Sequence, residues 1–232
     1  MADHRQKKPA LPQKLAAELI GTFFATLVPT SVDILYYTGS HVDFVSRWLA
    51  RGFIATAMIY AFSEISGAHI DPAVSLGFAI RRTLGFGQML LYWLVQFGGA
   101  FGASLLAWGL WGSRMVLGAS HPGLKFTQLE AVLAEIVLTF LLMTVILATA
   151  EENAVVGKQS ALAVGLTIAT CGFFAGEISG ASMNPARSIA PQIVGGAYNI
   201  IWIYALGPCI GAALAALPAR FIFGKPREGE IK

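Results

Sequence analysis

Two stretches of this chain carry the same run of chemistry-bearing residues, EISGAHIDPAV at 64–74 and EISGASMNPAR at 177–187. Each sets an acid, Glu64 or Glu177, ahead of a short polar side chain, Asp71 or Asn184, which is followed by Pro-Ala and, in the second copy, by Arg187. Asp and Asn before a helix accept a backbone N–H as N-caps, and Pro72 and Pro185 suit the first helical position, where no N–H is needed. This is hydrogen-bonding chemistry: cap oxygens, an amide, and the exposed carbonyls of SGAHI and SGASM. Glu64 and Glu177 stand at the loop entrances, placed to cap loop N–H groups, to pair with His69 or an arginine, or to bind an ion. Catalytic patterns are missing: there is no HExxH, GxSxG or Gly-rich phosphate loop, and the four His fall at 4, 41, 69 and 121. Neither an enzyme nor a metal or cofactor site is expected.

The elements that position these residues are apolar. Of 232 residues 56% are hydrophobic and 12% charged, against roughly 25% charged in a soluble domain. Segments 15–36, 86–110, 127–150 and 197–223 are long enough to cross a hydrocarbon core of roughly 30 Å, and 48–63 and 160–176 are shorter but continuous with the motifs. Six spans result. A cleaved secretory peptide is the alternative for the N-terminus, but the run from Leu15 is too long, contains Glu18 and ends in VDILYY. Cys171 and Cys209 lie within spans as packing residues, and a net charge of +3 calls for no nucleic acid.

Aligning the motifs places Glu64 on Glu177 and Pro72 on Pro185 at one offset, and a second echo lies upstream in LAAELIGTFFATL and LAEIVLTFLLMTV, each with a Glu near its start. The chain reads as a tandem duplication, one channel domain over 1–232 with repeats at 15–110 and 127–223 and tails at 1–14 and 224–232. An odd number of spans per half inverts the second copy and puts the functional site at the interface near the midplane. The pieces after each motif, PAVSLGFAIRR and PARSIAPQIVGG, are half-bilayer helices that enter from opposite faces. Irregular backbone at that depth is tolerated where it lines a wet cavity. With both termini cytoplasmic, Arg5, Lys7, Lys8, Lys14, Arg81, Arg82, Lys158, Arg220, Lys225, Arg227 and Lys232 lie inside, against Arg47, Arg114 and Lys125 outside, as the positive-inside rule requires. Arg51 and Arg187 remain unplaced. Short loops and tails suit a bacterial inner membrane.

Paired SGxxxxPA loops in a duplicated six-span chain resemble the major intrinsic protein family, the aquaporins and aquaglyceroporins, from about Lys14 to Phe223. The family's Asn-Pro-Ala is kept at Asn184, Pro185 and Ala186 and altered at Asp71, Pro72 and Ala73. The resemblance implies an all-α membrane protein of six transmembrane helices plus two re-entrant half-helices in an inverted repeat, assembled as a homotetramer. It implies that carbonyls of Gly67 to Ile70 and Gly180 to Met183 form an acceptor ladder, and that Glu18 and Glu135 brace the loops by accepting their N–H groups.

Counted from the motifs, the family's four selectivity-filter positions fall on Arg51, Gly172, Ala181 and Arg187. Small residues at 172 and 181 imply a wide filter. Arg51 stands where family members carry an aromatic; it either lines the mouth or turns away to pair with Asp33, and Trp48 supplies part of the missing aromatic wall. Asp71 loses the amide donor of Asn and, if ionised, lowers the central barrier to cations; as the neutral acid it still donates. The expected function is a passive channel for water and small uncharged solutes, with glycerol the type solute and neutral metalloid hydroxides as polyol mimics. The alternative is an ion- or anion-permeable variant on the same fold. A secondary transporter, which inverted repeats also build, has little room in this length.

Overall fold

The computed structural model describes residues 9–149 and 159–224. The tails and the 150–158 connection, with Arg5, Lys7, Lys8, Lys158, Lys225, Arg227 and Lys232 of the charge pattern, lie outside the described residues. All regular structure described is helical: α1 (Leu11–Tyr37), α2 (Phe44–Ser66), α3 (Pro72–Arg81), α4 (Phe86–Trp111), α5 (Gln128–Thr149), α6 (Ser160–Ser179), α7 (Pro185–Gly195), α8 (Ile201–Ala216) and the short α9 (Ala219–Ile222). A 3-10 segment, Gly112–Gly118, follows α4.

Among the described residues five helices are long and apolar enough to cross a bilayer: α1, α4 with its 3-10 extension, α5, α6, and α8 with the turn before it. The sixth, α2, has 23 residues, about 35 Å at 1.5 Å per residue, and a composition diluted by Arg47, Arg51 and Glu64. Two of those charges are buried, Arg47 at 3% and Arg51 at 4% exposure, so α2 spans the bundle by turning them inward. Asp43 caps its start, accepting Ser46 N at 2.7 Å. Helices α3 and α7, of 10 and 11 residues, are the half-helices.

Packing repeats across the halves. Helix α1 lies along α4 as α5 lies along α8, and α3 crosses to α8 as α7 crosses to α4, while α2 meets α6 between the halves. Small residues permit these approaches, as expected where lipid supplies no hydrophobic drive between helices. A Cβ on Gly52 of α2 would lie 2.4 Å from Gly165 O of α6, and one on Gly165 would lie 1.8 Å from Thr56 Oγ1. Gly99 of α4 and Gly211 of α8 play matching parts, each with a would-be Cβ within 2.4 Å of a carbonyl oxygen of α1 or α5.

Candidate functional site

The two motif loops have one backbone. Gly67, Ala68 and Ile70 have φ of 88°, 47° and 46°, and Gly180, Ala181 and Met183 have 81°, 41° and 57°. Left-handed non-glycine residues cost about 1–3 kcal/mol each, and Ile70, branched at Cβ, is the most constrained. Something must hold the loops there. Glu18 does so in the first half: Oε1 accepts Ser66 Oγ (2.6 Å) and His69 N (2.9 Å), while Oε2 accepts Ile70 N (2.6 Å) and Gln96 Nε2 (2.8 Å). Glu135 repeats the pattern, accepting Ser179 Oγ (2.7 Å) and Ser182 N (2.8 Å) on Oε1 and Met183 N (2.7 Å) on Oε2. Both carboxylates are fully buried, and an acid at bilayer depth persists only when so bonded. Tyr92 and Tyr204 tie the preceding turn in each half, their hydroxyls donating to Ser66 O (2.8 Å) and Ser179 O (2.5 Å).

Below each loop a half-helix begins on its cap. Asp71 Oδ1 accepts Ala73 N at 2.7 Å, and Asn184 Oδ1 accepts Arg187 N at 3.1 Å. Pro72 and Pro185 sit at the helix starts. Asn184 also joins the halves, its Nδ2 donating to Ile70 O at 2.9 Å. One loop carbonyl and one amide hydrogen are thereby committed to each other.

Between the loops runs a cavity of about 460 Å³. It touches both loops, from Gly67 to Asp71 and from Ala181 to Asn184, and reaches Arg81, Thr83 and Ser160 at one end and Pro29, Arg51 and Arg187 at the other. The wall opposite the loop backbone is apolar, with Ile54, Ile59, Leu142, Ile146, Val164 and Ile168. His69 stands on the wall with Nδ1 3.1 Å from Ser75 Oγ and its ring stacked on Phe78 at 4.5 Å.

The arginine end is an ionic cluster. Asp33 Oδ2 accepts from Arg51 Nη2 and, at 3.1 Å, from Arg187 Nη2, while Arg47 Nε lies 3.2 Å from Oδ1. Arg51 Nη1 donates to Gly180 O at 2.8 Å, and Arg187 Nη1 donates to Ser120 Oγ. Trp48, fully buried, carries the Arg47 and Arg51 guanidiniums 4.3 and 4.1 Å from its ring centre.

The expected filter residues separate here. Arg51, Ala181 and Arg187 line the cavity and Gly172 does not. A Cβ on Gly172 would lie 2.1 Å from Trp48 Cε3, and one on Gly176 would lie 2.0 Å from Trp48 Cζ2. Gly172 therefore makes room for the indole and not for solute, and Trp48 is a platform behind Arg51 and not a piece of cavity wall. The two positions weighed for Arg51 coincide, since it pairs with Asp33 while standing on the wall. Glu64 and Glu177 are exposed and off the cavity lining; His69 turns to Ser75. Ala73 and Ala186 are fully buried helix-packing residues. Sequence reasoning passed over Ser66, Ser179, Tyr92, Tyr204, Gln96 and Ser120. The two serines were visible inside the repeated ISGA, and the two tyrosines at nearly the motif offset.

This geometry has known counterparts. The family model described as Major intrinsic protein matches residues 5–218. The chain is 41% identical over 209 residues to the putative aquaporin NIP4-1 of Arabidopsis thaliana, covering 87% of this chain and 71% of that protein. It is 37% identical over 217 residues to aquaporin NIP2-1 of Zea mays, covering 92% and 72%. Its fold is similar to the X-ray structure of the aquaglyceroporin from Plasmodium falciparum, with a TM-score of 0.83 at 22% identity over 92% of this chain and 97% of that one. With paired braced loops, paired half-helices and a sequence match over nearly its full length, this chain belongs to the major intrinsic protein family, as an integral, multi-pass membrane protein.

Proposed function

We propose that the protein is a passive transmembrane channel for water and small uncharged solutes such as glycerol, with neutral metalloid hydroxides accepted as polyol mimics. The observation that carries this reading is the amphipathic cavity, with loop carbonyls on one side and Ile54, Ile59, Leu142, Ile146, Val164 and Ile168 on the other. A polyol presents hydroxyls along one edge and CH groups along the other, so both faces are matched without a charge. Two half-helices start at the centre with their positive ends, and Arg51 and Arg187 close one mouth; both features oppose cations. Ala181 is the small residue that leaves width at this mouth. Asp71 is the central departure: its second carboxyl oxygen faces neutral hydroxyl donors in place of an amide.

The finer reading follows the family pattern: a homotetramer with a conduit in each protomer, both termini cytoplasmic, and solutes and lipid as the only partners. The relatives named are plant proteins and lend nothing to a bacterial inner membrane. Uptake of labelled glycerol into proteoliposomes tests the function. Uptake linear in concentration with no coupled gradient supports a channel; saturation with gradient coupling makes it a transporter, and current under a salt gradient makes it an ion pathway.

A further inference from the structure

Three guanidiniums and one carboxylate are buried together at the arginine mouth, with Arg47, Arg51 and Arg187 at 3–4% exposure and Asp33 at 3%. Among the described residues no other carboxylate lies within 4 Å of these cations, and Glu135 is occupied by its loop. Arg47 is shielded by ring faces, 4.5, 5.2 and 4.3 Å from the centres of Tyr36, Tyr37 and Trp48. Arg51 and Arg187 are different: they share a single Asp33 oxygen and both stand on the cavity wall. A guanidinium has five N–H groups. Each of these two spends one on Asp33 and one on a neutral oxygen, leaving three without a protein acceptor, and Arg51 Nε is buried with none. Buried charge without a counter-charge is costly, and one arginine at this mouth already repels cations. The second one adds a second fork of donors.

We propose that Arg51 and Arg187 form a binding site for a small planar oxyanion of the carboxylate or nitrate class, and that its occupancy shuts the conduit to neutral solute. Two flat guanidinium forks match two coplanar oxygens. The bound anion sits where the cavity meets the mouth, so it competes with every passing solute. Because the blocking half of the proposal rests on the channel reading, binding and flux are measured separately.

The probe is nitrate, with gluconate as the bulky reference anion. Binding to the purified protein is followed by calorimetry, and water and glycerol permeabilities of proteoliposomes by light scattering, each variant normalised to its own rate in gluconate. In wild type, nitrate binds saturably and at ten times its Kd slows both permeabilities about tenfold, by mass action. Arg51→Gln loses the heat and the block. Arg51→Lys, a point charge in place of a fork, binds nitrate weakly and no better than chloride. Asp33→Asn, which removes the competing carboxylate, binds nitrate more tightly than wild type. No binding to wild type, equal block in Arg51→Gln, or nitrate current across a planar bilayer would each overturn the proposal. A protein that binds nitrate yet passes no solute in gluconate supports the anion site and sinks the channel reading instead.

Discussion

Replacing Gly172 by Ala tests how the mouth is held open. The added Cβ would lie 2.1, 2.3 and 2.8 Å from Cε3, Cδ2 and Cγ of Trp48, against 3.4 Å or more for ordinary contact. The indole must therefore retreat by about 1.3 Å. It is fully buried, with Gly176 behind it and the Arg47 and Arg51 guanidiniums within 4.3 Å of its ring centre. Overpacking of this kind costs about 1–3 kcal/mol, and a disturbed cation–π pair up to about 2 kcal/mol more. At about 2–4 °C per kcal/mol for a chain of this length, Tm should fall by several degrees. Arg51 moves with the ring, so water and glycerol permeability per incorporated protein should change together, and Gly172→Ala with Trp48→Leu should recover much of both losses. Stopped-flow light scattering and a detergent-phase melting curve read the two effects. An unchanged Tm, a selective loss of glycerol over water, and no rescue at Trp48 would refute the reasoning and return Gly172 to the conduit wall.

Glu135→Gln keeps one acceptor oxygen and sets an amide donor against either the Ser182 or the Met183 N–H group, at a cost of about 1–3 kcal/mol for the group left unsatisfied; melting curves and faster amide exchange at that residue check it. Glu18→Gln, with four donors on the carboxylate, should lose at least as much. Asp71→Asn keeps the cap on Ala73 N, so stability should move by less than about 1 kcal/mol, while any cation leak seen as planar-bilayer current falls; a leak that rises contradicts the role given to Asp71. Asp43, in the aqueous turn before α2, has its carboxyl held below the usual range by the Ser46 N–H. A depressed folded pKa adds stability that is full above the unfolded value, about 3.9, and is lost as pH falls through the folded one. The Tm gap between wild type and Asp43→Ala should thus be constant above about pH 5 and shrink in stronger acid; a gap flat with pH would show that the charge is irrelevant to the cap.

The duplication was legible because a loop that must adopt left-handed backbone at Gly67 and Gly180 repeats its residues at a fixed offset. The half-helices were legible from their caps and prolines. The bounds of α2 were not: the expected span began at Trp48, whereas the helix begins at Phe44. Arg47 and Arg51 interrupt an apolar run when read alone, and it is Asp33 of α1, the Gly180 carbonyl and the rings of Tyr36, Tyr37 and Trp48 that make them tolerable inside. The last span was expected to reach 223, but α8 stops at Ala216 and the short α9 resumes at Ala219; Pro218 between them has no N–H to continue the helix hydrogen bonds, although Leu217 ahead of it keeps helical φ and ψ of -60° and -52°. Gly172 was misleading for a related reason. Spacing places a residue at the level of the mouth but not on its wall, and the indole that fills the space comes from a different helix, far away in sequence.

The most direct test of the channel reading is a pair of osmotic shifts on proteoliposomes, first sucrose and then glycerol. Shrinkage accelerated over empty vesicles in both, followed by reswelling in glycerol alone, is the predicted result. Fast shrinkage with no reswelling in glycerol would contradict passage of small polyols and leave a conduit for water only.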